Sequence, residues 1–307
     1  MTTTPLLYAL PGSSHLAAPL RQAMQAACGE VDVHRFPDGE SYVRFVSDPA
    51  GQHVILLSCL NEPDSKLIPL LLAARTAKDL RAASVGLVAP YMPYLRQDTA
   101  FQPGEAVSAR HIGALLSETF SWAVTLDPHL HRLSALDEVF SIPAGVASAA
   151  GSVSGWVRNN VENPIICGPD SESEQWASAI AAACQAPYAV FRKTRHDAQS
   201  VDIHIPDGLD LAGYVPVIVD DIVSTGGTMI SLVSQLHRRN GAAPVCCIVH
   251  GLFPEITGNR ILHAGARQLV TTNSIRHKTN AIDISMPLAT TSAETLDHYL
   301  SGDRNSR

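Results

Sequence analysis

The fold is decided by residues 215–228, which read Val-Pro-Val-Ile-Val-Asp-Asp-Ile-Val-Ser-Thr-Gly-Gly-Thr. The apolar run from Val215 to Val219 predicts a buried strand, and the pattern from Thr228 to Asn240 predicts a helix. Between them lies a tight loop that carries two glycines. The first turn of such a helix points unbonded N–H groups and the positive end of its dipole at the loop. The stretch therefore predicts one strand–helix unit of a parallel sheet, with an anion site at the helix start.

The same alternation of apolar runs and helical patterns extends along the chain in both directions. The predicted strands cover residues 6–10, 53–58, 84–90, 122–126, 164–167, 188–191, 215–219, 245–250 and 268–272. The predicted helices cover residues 15–28, 64–79, 106–120, 174–184 and 228–240. Strands that are apolar on both faces and alternate with helices predict an α/β fold, in which parallel sheets are covered by helices. We expect two tandem domains, 1–142 and 143–285, and leave open whether residues 286–307 return to the first.

Composition narrows the class of protein. The chain has 307 residues, of which 46% are hydrophobic and 17% charged, so it can bury a sizeable core. The formal net charge of -7 argues against a general nucleic-acid binder, which usually needs a basic surface. No apolar run reaches transmembrane length, and the N-terminus lacks the pattern of a signal peptide. The six cysteines form no Cys-x-x-Cys pair and predict free thiols, so we expect a cytoplasmic protein. From the charge and the apolar runs, we expect it to bind neither nucleic acid nor membrane.

The loop after the strand at 215–219 suits a sugar phosphate. Hydroxyls and glycine backbone N–H groups can donate to phosphate oxygens, whereas carboxylates accept from sugar hydroxyls or bind Mg²⁺. A capped helix with solvated aspartates is the alternative, and the whole strand–acid–loop–helix context favours binding. The candidate residues are Asp220, Asp221, Ser224, Thr225, Gly226, Gly227 and Thr228.

Other candidate segments come directly after predicted strands or lie in turns. Residues 36–40 (Phe-Pro-Asp-Gly-Glu) form a turn whose aromatic ring could stack on a base, although Pro-Asp-Gly is a common turn by itself. Residues 91–98 come after a strand, where ligands usually bind in such sheets, and their arginine could hold a phosphate. Residues 127–129 (Asp-Pro-His) end another strand, and the histidine could bind a metal or a phosphate, although by itself such a histidine is more often structural or merely exposed.

Two segments precede the candidate phosphate loop, which is formed by residues 224–228. Residues 168–174 follow the first strand of the second half, and by themselves they could be only the cap of a helix start that includes Asp170. Lys193 and Arg195 alternate after a strand on what should be a mobile loop. Such charges are most often only solvated, but diphosphoryl transfer needs cations where negative charge builds up.

In this order the motifs resemble those of ribose-phosphate diphosphokinases. Residues 219–228 resemble the phosphoribosyl-diphosphate motif that these enzymes share with type I phosphoribosyltransferases, and the upstream segments favour the diphosphokinases. The resemblance runs from about residue 6 to residue 290, and departures at 127–129, 168–172 and 224–227 indicate a divergent, archaeal-like branch. It implies two phosphoribosyltransferase-like domains and the transfer of a diphosphoryl group from Mg-ATP to ribose 5-phosphate. It also implies a homo-oligomer built from dimers, because the family's ATP site forms between subunits.

The resemblance also implies roles for single residues. Lys193 and Arg195 would stabilise the transition state. The ATP-binding residues would be Phe36, Asp38, Glu40, Arg96, Gln97, Asp98 and His129. Ribose 5-phosphate would bind Asp170 and the loop residues named above, with His129 and Asp170 holding Mg²⁺. The segment 271–277 would border the same sugar phosphate. The alternatives are a phosphoribosyltransferase that consumes the diphosphate and an inactive regulatory homologue.

Overall fold

A computed structural model describes residues 4–130, 135–195, 201–204, 211–240 and 243–305. The chain divides into two compact units. Unit 1 comprises Met1–Ser148 and Ser285–Arg307, and unit 2 comprises Ala149–Ile284. The domain boundaries that the sequence predicts, at residues 142 and 285, stay a prediction.

Unit 1 is built on a six-stranded parallel sheet with a separate hairpin. Its strands are β1 (Leu6–Ala9), β2 (Ala27–Gly29), β3 (Val31–Arg35), β4 (Ser41–Phe45), β5 (His53–Leu57), β6 (Ser84–Ala89), β7 (Trp122–Leu126) and β8 (Ala144–Ala147). The sheet order is β2-β1-β5-β6-β7-β8, and β3 pairs with β4 in antiparallel fashion. β6 and β7 are buried at every position, because helices cover both faces of a parallel sheet.

Unit 2 repeats this plan. Its strands are β9 (Pro164–Gly168), β10 (Tyr188–Val190), β11 (Arg192–Arg195), β12 (Val201–His204), β13 (Val215–Val223), β14 (Val245–Gly251), β15 (Gln268–Thr272) and β16 (Asn280–Ile282). The sheet order is β10-β9-β13-β14-β15-β16, and β11 and β12 form an antiparallel pair. The two sheets thus have equivalent strand orders, so β13 in unit 2 corresponds to β5 in unit 1.

Eight helices complete the described part of the chain. They are α1 (Ser14–Met24), α2 (Asp64–Asp79), α3 (Ser108–Thr119), α4 (Ala150–Asn160), α5 (Glu174–Cys184), α6 (Gly227–Asn240), α7 (Glu255–His263) and α8 (Ser285–Asn305). α8 packs on α1, β7 and β8 of unit 1. No helix within the described ranges is both long and apolar enough to cross a membrane.

Three predicted elements differ from the structure in type or by more than two residues at one end. The first helix was expected to reach Cys28, but it stops at Met24, since Gln25 adopts a left-handed conformation with φ 51° and the chain then pairs with β1. The strand expected to end at Val219 continues to Val223. Lys193 and Arg195 were expected on a mobile loop, yet their backbone forms β11, which is paired with β12.

The six cysteines are free thiols, as predicted. Burial raises the pKa of Cys59 to about 11 and the pKa of Cys167 to about 12. Both side chains are therefore neutral thiols at physiological pH, as expected for core residues rather than nucleophiles.

Candidate active site

The phosphate loop of unit 2 lies where β13 ends and α6 begins. Gly226 has φ +76°, and a Cβ added there would lie 2.6 Å from Cγ2 of Thr257. Only glycine fits that position without strain. Gly227 is the first residue of α6, and a Cβ added there would meet nothing within 4 Å. The two glycines therefore differ in role. Gly226 allows the backbone conformation of the loop, and Gly227 leaves open space at the start of the helix.

Three carboxylates gather beside this loop. The pKa of Asp220 lies well above its usual range because the protein desolvates the carboxyl, and because the charges of Asp221 and Asp170 repel its own. The carboxylate of Asp221 also accepts a hydrogen bond from the N–H of Ile222 at 2.7 Å. Asp170 is therefore close enough to act on Asp220, although 50 residues separate them in sequence. A site with this much negative charge suits a divalent cation or the hydroxyls of a sugar.

Asp170 also caps the turn that precedes α5. Its carboxylate accepts from the N–H of Ser173 at 3.3 Å, and the Ser173 hydroxyl donates to the Asp170 carbonyl at 2.6 Å. A cap and a ligand role for Asp170 are thus compatible, because one carboxylate oxygen serves the cap and the other stays available. Its hard oxygen donors, with those of Asp220 and Asp221, match the chemistry of Mg²⁺. Within the described ranges, no three histidine, cysteine or acidic residues already form a metal cage.

A buried polar network centres on His250, a residue to which no sequence motif assigned a role. His250 is the penultimate residue of β14 and is paired in register with Ile222, and its Nδ1 lies 2.9 Å from the hydroxyl of Ser274. The Ser274 and Thr272 hydroxyls both donate to the carbonyl of Val249, at 2.9 and 2.7 Å. The only sequence feature that could have pointed to this network is the His-Gly pair at the end of the predicted strand. The network fixes the segment that was expected to border the sugar phosphate.

The β3–β4 hairpin of unit 1 carries the Phe-Pro-Asp-Gly-Glu turn. The N–H of Phe36 donates to the carbonyl of Glu40 at 2.8 Å, and the N–H of Glu40 donates to the carboxylate of Asp38 at 3.1 Å. The ring of Phe36 is 45% exposed and meets His34 and Tyr42 edge-on. Three aromatic rings therefore share one open surface with two carboxylates, a combination that can hold a base by stacking and accept from an amino group.

The remaining predicted residues of unit 1 come after the ends of β6 and β7. Arg96 is exposed, while Gln97 and Asp98 are half-buried, and the carbonyl of Gln97 accepts from the N–H of Ala109 at 3.2 Å. That bond ties the segment to the start of α3. His129 is half-buried three residues after β7, and His131 lies outside the described residues. The side chains of Lys193 and Arg195 are likewise outside what the structure describes, so only their backbone is placed.

Both halves of the chain match known domain families. Residues 6–119 match a model of the N-terminal domain of ribose phosphate pyrophosphokinase, and residues 135–252 match the phosphoribosyl transferase domain. A ribose-phosphate pyrophosphokinase of Sulfurisphaera tokodaii is 31% identical over 261 residues, 83% of this chain and 88% of that protein. The chain belongs to the ribose-phosphate pyrophosphokinase family. This is another name for the diphosphokinases that the motifs resemble, and the predicted family is confirmed.

Two further similarities support this placement. A ribose-phosphate pyrophosphokinase of Thermococcus kodakarensis is 31% identical over 274 residues, 89% of this chain and 95% of that protein. Both of these relatives are archaeal, in agreement with the predicted branch. The crystal structure of phosphoribosylpyrophosphate synthetase from Mycobacterium smegmatis has a TM-score of 0.83 at 23% identity, and covers 96% of this chain and 100% of that one. That likeness concerns the fold, and it confirms the tandem α/β architecture expected of a ribose-phosphate pyrophosphokinase.

Proposed function

We propose that this enzyme transfers the diphosphoryl group of Mg-ATP to the anomeric hydroxyl of ribose 5-phosphate, giving 5-phosphoribosyl diphosphate and AMP. The observation that carries the proposal is the set of three carboxylates, Asp170, Asp220 and Asp221, beside a glycine-shaped loop at a helix N-terminus. One end of this arrangement offers acceptors to sugar hydroxyls and the other offers donors to a phosphate. Ribose 5-phosphate presents both groups at opposite ends of one small molecule.

The loop residues would bind the 5-phosphate. The backbone at Gly226 and Gly227 would approach its oxygens closely, and the hydroxyls of Ser224, Thr225 and Thr228 would donate to them. Asp220 and Asp221 would accept from the ribose hydroxyls and so orient the anomeric hydroxyl. Orientation of the acceptor before reaction removes a large part of the entropic barrier.

ATP would bind to unit 1. The face of Phe36 would stack on the adenine, Asp38 and Glu40 would accept from its amino group, and Arg96 would bind phosphate oxygens. Gln97, Asp98 and His129 would complete this set. Because the aromatic face of the hairpin is exposed, a second copy of the chain could share it, and we propose a homo-oligomer built from dimers.

Mg²⁺ would be held by His129 and Asp170, and when bound it would neutralise charge on the phosphate oxygens. Lys193 and Arg195 would stabilise the negative charge that builds on the migrating diphosphoryl group. Their position on a two-stranded antiparallel pair, β11 and β12, gives alternate residues a common face, which suits two cations acting on one group.

The test is an assay of the full chain with Mg-ATP and ribose 5-phosphate, monitored for AMP. The wild type should form one AMP for each 5-phosphoribosyl diphosphate. Lys193→Ala should lower kcat by at least about a hundredfold, since it removes a charge needed only in the transition state. Lys78→Ala, an exposed lysine near the end of α2, is the control and should keep wild-type activity.

Two results would overturn the proposal. One is the absence of AMP from a folded wild-type protein. The other is equal activity of the Lys193→Ala and Lys78→Ala variants. Release of free diphosphate from 5-phosphoribosyl diphosphate and a base would instead identify a phosphoribosyltransferase.

A further inference from the structure

A cavity of about 380 Å³ lies in unit 1 between the β3–β4 hairpin and the start of α2. Small-molecule sites typically have volumes of about 300–1,000 Å³. The cavity opens where β1 and β5 end, since Leu10 and Ser58 come directly after these strands and both line it. In unit 2 the corresponding strands β9 and β13 lead to Asp170 and the phosphate loop. The cavity thus occupies, in the first sheet, the position at which the second sheet carries its sugar-phosphate loop.

Two cations line this cavity without a carboxylate partner. The Nζ of Lys66 donates to the Cys59 carbonyl at 2.8 Å and to Oδ1 of Asn61 at 2.6 Å, and both acceptors are neutral. The guanidinium of Arg35 donates to the Ser65 carbonyl at 2.8 Å. Neither cation forms an ion pair with any residue in the described ranges. An ammonium group has three donors, so Lys66 keeps one for a ligand, and Arg35 keeps several.

The position of Lys66 favours a bound anion. Burial lowers the pKa of Lys66, while Cys59 and Glu62 act in the opposite direction. The Cys59 thiol does not balance the charge, because its own pKa is raised to about 11 and it is neutral at physiological pH. Glu62 acts on Lys66 only from beyond ion-pair distance, so this partly desolvated cation stays available to an anion in the cavity.

The rest of the lining suits an amphiphilic ligand. Ser58 is only 2% exposed and lines the cavity, so its hydroxyl is placed to meet a ligand there. Val33 and Leu70 contribute apolar surface to the same cavity. No acidic residue lines it, in a protein whose net charge is -7.

We propose that this cavity is a second ligand site that binds a phosphomonoester with a flat or apolar body. The phosphate would bind between Lys66 and Arg35, where the guanidinium can bind two of its oxygens. Ser58 would donate to the ligand, and the body would pack on Val33 and Leu70. None of these five residues belongs to the set proposed for ATP or ribose 5-phosphate, although His34, whose ring contacts Phe36, also lines the cavity. The proposed site is therefore a neighbour of the proposed ATP site with its own anion-binding residues.

The experiment is calorimetric titration of the full chain with AMP, which joins a phosphomonoester to a flat body, and with its fragments phosphate and adenosine. Lys66→Met should weaken one AMP-binding event at least about tenfold, because it removes the charge and keeps the apolar stem. Lys78→Met makes the same change on the exposed side of α2 and should leave that event unchanged. Arg96→Gln weakens the proposed ATP site and should also leave it unchanged.

The remaining outcomes decide the proposal in the same titrations. Arg35→Gln should weaken the same event, and it replaces Lys66→Met if that variant does not fold. Phosphate should bind with the same dependence on Lys66, whereas adenosine alone should bind weakly. Equal AMP affinity in the Lys66→Met and Lys78→Met variants would overturn the site. An adenosine affinity equal to that of AMP would also overturn the site. The same holds if no probe binds to the wild type because a second copy of the chain fills the cavity.

Discussion

At the scale of single residues, the acidic group at the end of β13 combines a structural cost with the binding function proposed for it. Asp220 carries a raised pKa because it is desolvated and repelled by Asp221 and Asp170. A carboxyl with a raised folded-state pKa takes up protons on folding, so stability falls as pH rises from the unfolded value through the folded one. Carboxyl groups with strongly raised pKa values are commonly found at functional sites, where a bound cation can offset the repulsion between them.

Asp220→Asn is therefore expected to change the pH dependence of stability. The wild type should lose stability as pH rises from about 4 upward, because the charged form of Asp220 is disfavoured in the folded protein. The variant should show a smaller loss and be the more stable protein at pH 8. Urea unfolding at pH 5 and pH 8 measures this difference, and Asp297→Asn, at an exposed position on α8, is the control. A wild type and variant with parallel pH profiles would contradict it.

Alanine substitutions at the two glycines of the phosphate loop should affect the free energy of unfolding differently. Gly226→Ala should lower the free energy of unfolding by about 1–3 kcal/mol, since φ +76° is strained for alanine and its Cβ would contact Thr257. Gly227→Ala should be neutral or stabilise by up to about 1 kcal/mol, because it lies at the start of α6 with open space around it. Denaturant unfolding of both variants tests the pair. Equal destabilisation by both would show that the loop differs from this geometry.

At the scale of elements, the sequence predicted best where the periodic pattern was continuous. The predicted bounds of α2 and α5 agree with the structure, because each helix has a clear apolar stripe and an acidic first turn. β13 was predicted too short, since its polar residues Asp220 and Asp221 end the apolar run. The strand continues because Asp220 and Ile222 pair with residues of β14. Pairing between distant strands leaves no trace in the local pattern.

The same limit applies to the candidate site. Segments that carry their own motif, such as the loop at residues 224–228 and the turn at Phe36, could be proposed as binding segments from the sequence. The proximity of Asp170 to Asp220 could be expected only by resemblance, and the network of His250 with Ser274 was not expected at all. Both depend on which strands lie side by side in the sheet.

The β3–β4 hairpin predicts a selective effect on nucleotide binding. Phe36→Ala should raise the KM for ATP about tenfold or more, because loss of base stacking costs about 1–3 kcal/mol. The KM for ribose 5-phosphate should stay within about twofold. Phe101→Ala is the matched control, since that ring is 61% exposed and has no proposed role. Steady-state kinetics with each substrate varied in turn measures both values, and equal changes in the two variants would count against a nucleotide role for the hairpin.

At the scale of the whole molecule, the two units share one strand order and differ in the loops that leave the equivalent strands. β5 leads to Ser58 and the Lys66 cavity, whereas β13 leads to the acidic group and the phosphate loop. The two proposed sites thus differ in charge, although they lie at equivalent places in the same architecture. The repeat was visible in the sequence as a rhythm of strands and helices, but the correspondence of the two loops required the sheet order.

The chain end belongs to unit 1, although it comes after unit 2 in sequence. Residues at spacings of three and four along α8, among them Leu288, Ser292 and Leu296, are buried, and Thr295 packs against Gly145 of β8. Leu296→Ala should therefore lower the free energy of unfolding by about 2–5 kcal/mol, the range for a buried leucine. Met286→Ala removes a side chain that is 63% exposed on the same helix and should change it by less than about 0.5 kcal/mol.

Hydrogen exchange locates the effect of Leu296→Ala. Faster exchange should appear in β1, β7 and β8 of unit 1, because α8 covers that sheet, while β9, β13 and β14 of unit 2 keep wild-type protection. If protection instead falls first in β13 and β14, α8 stabilises unit 2, and the assignment of the chain end to the first sheet is wrong. If it falls equally in both sheets, the two units unfold as one cooperative body.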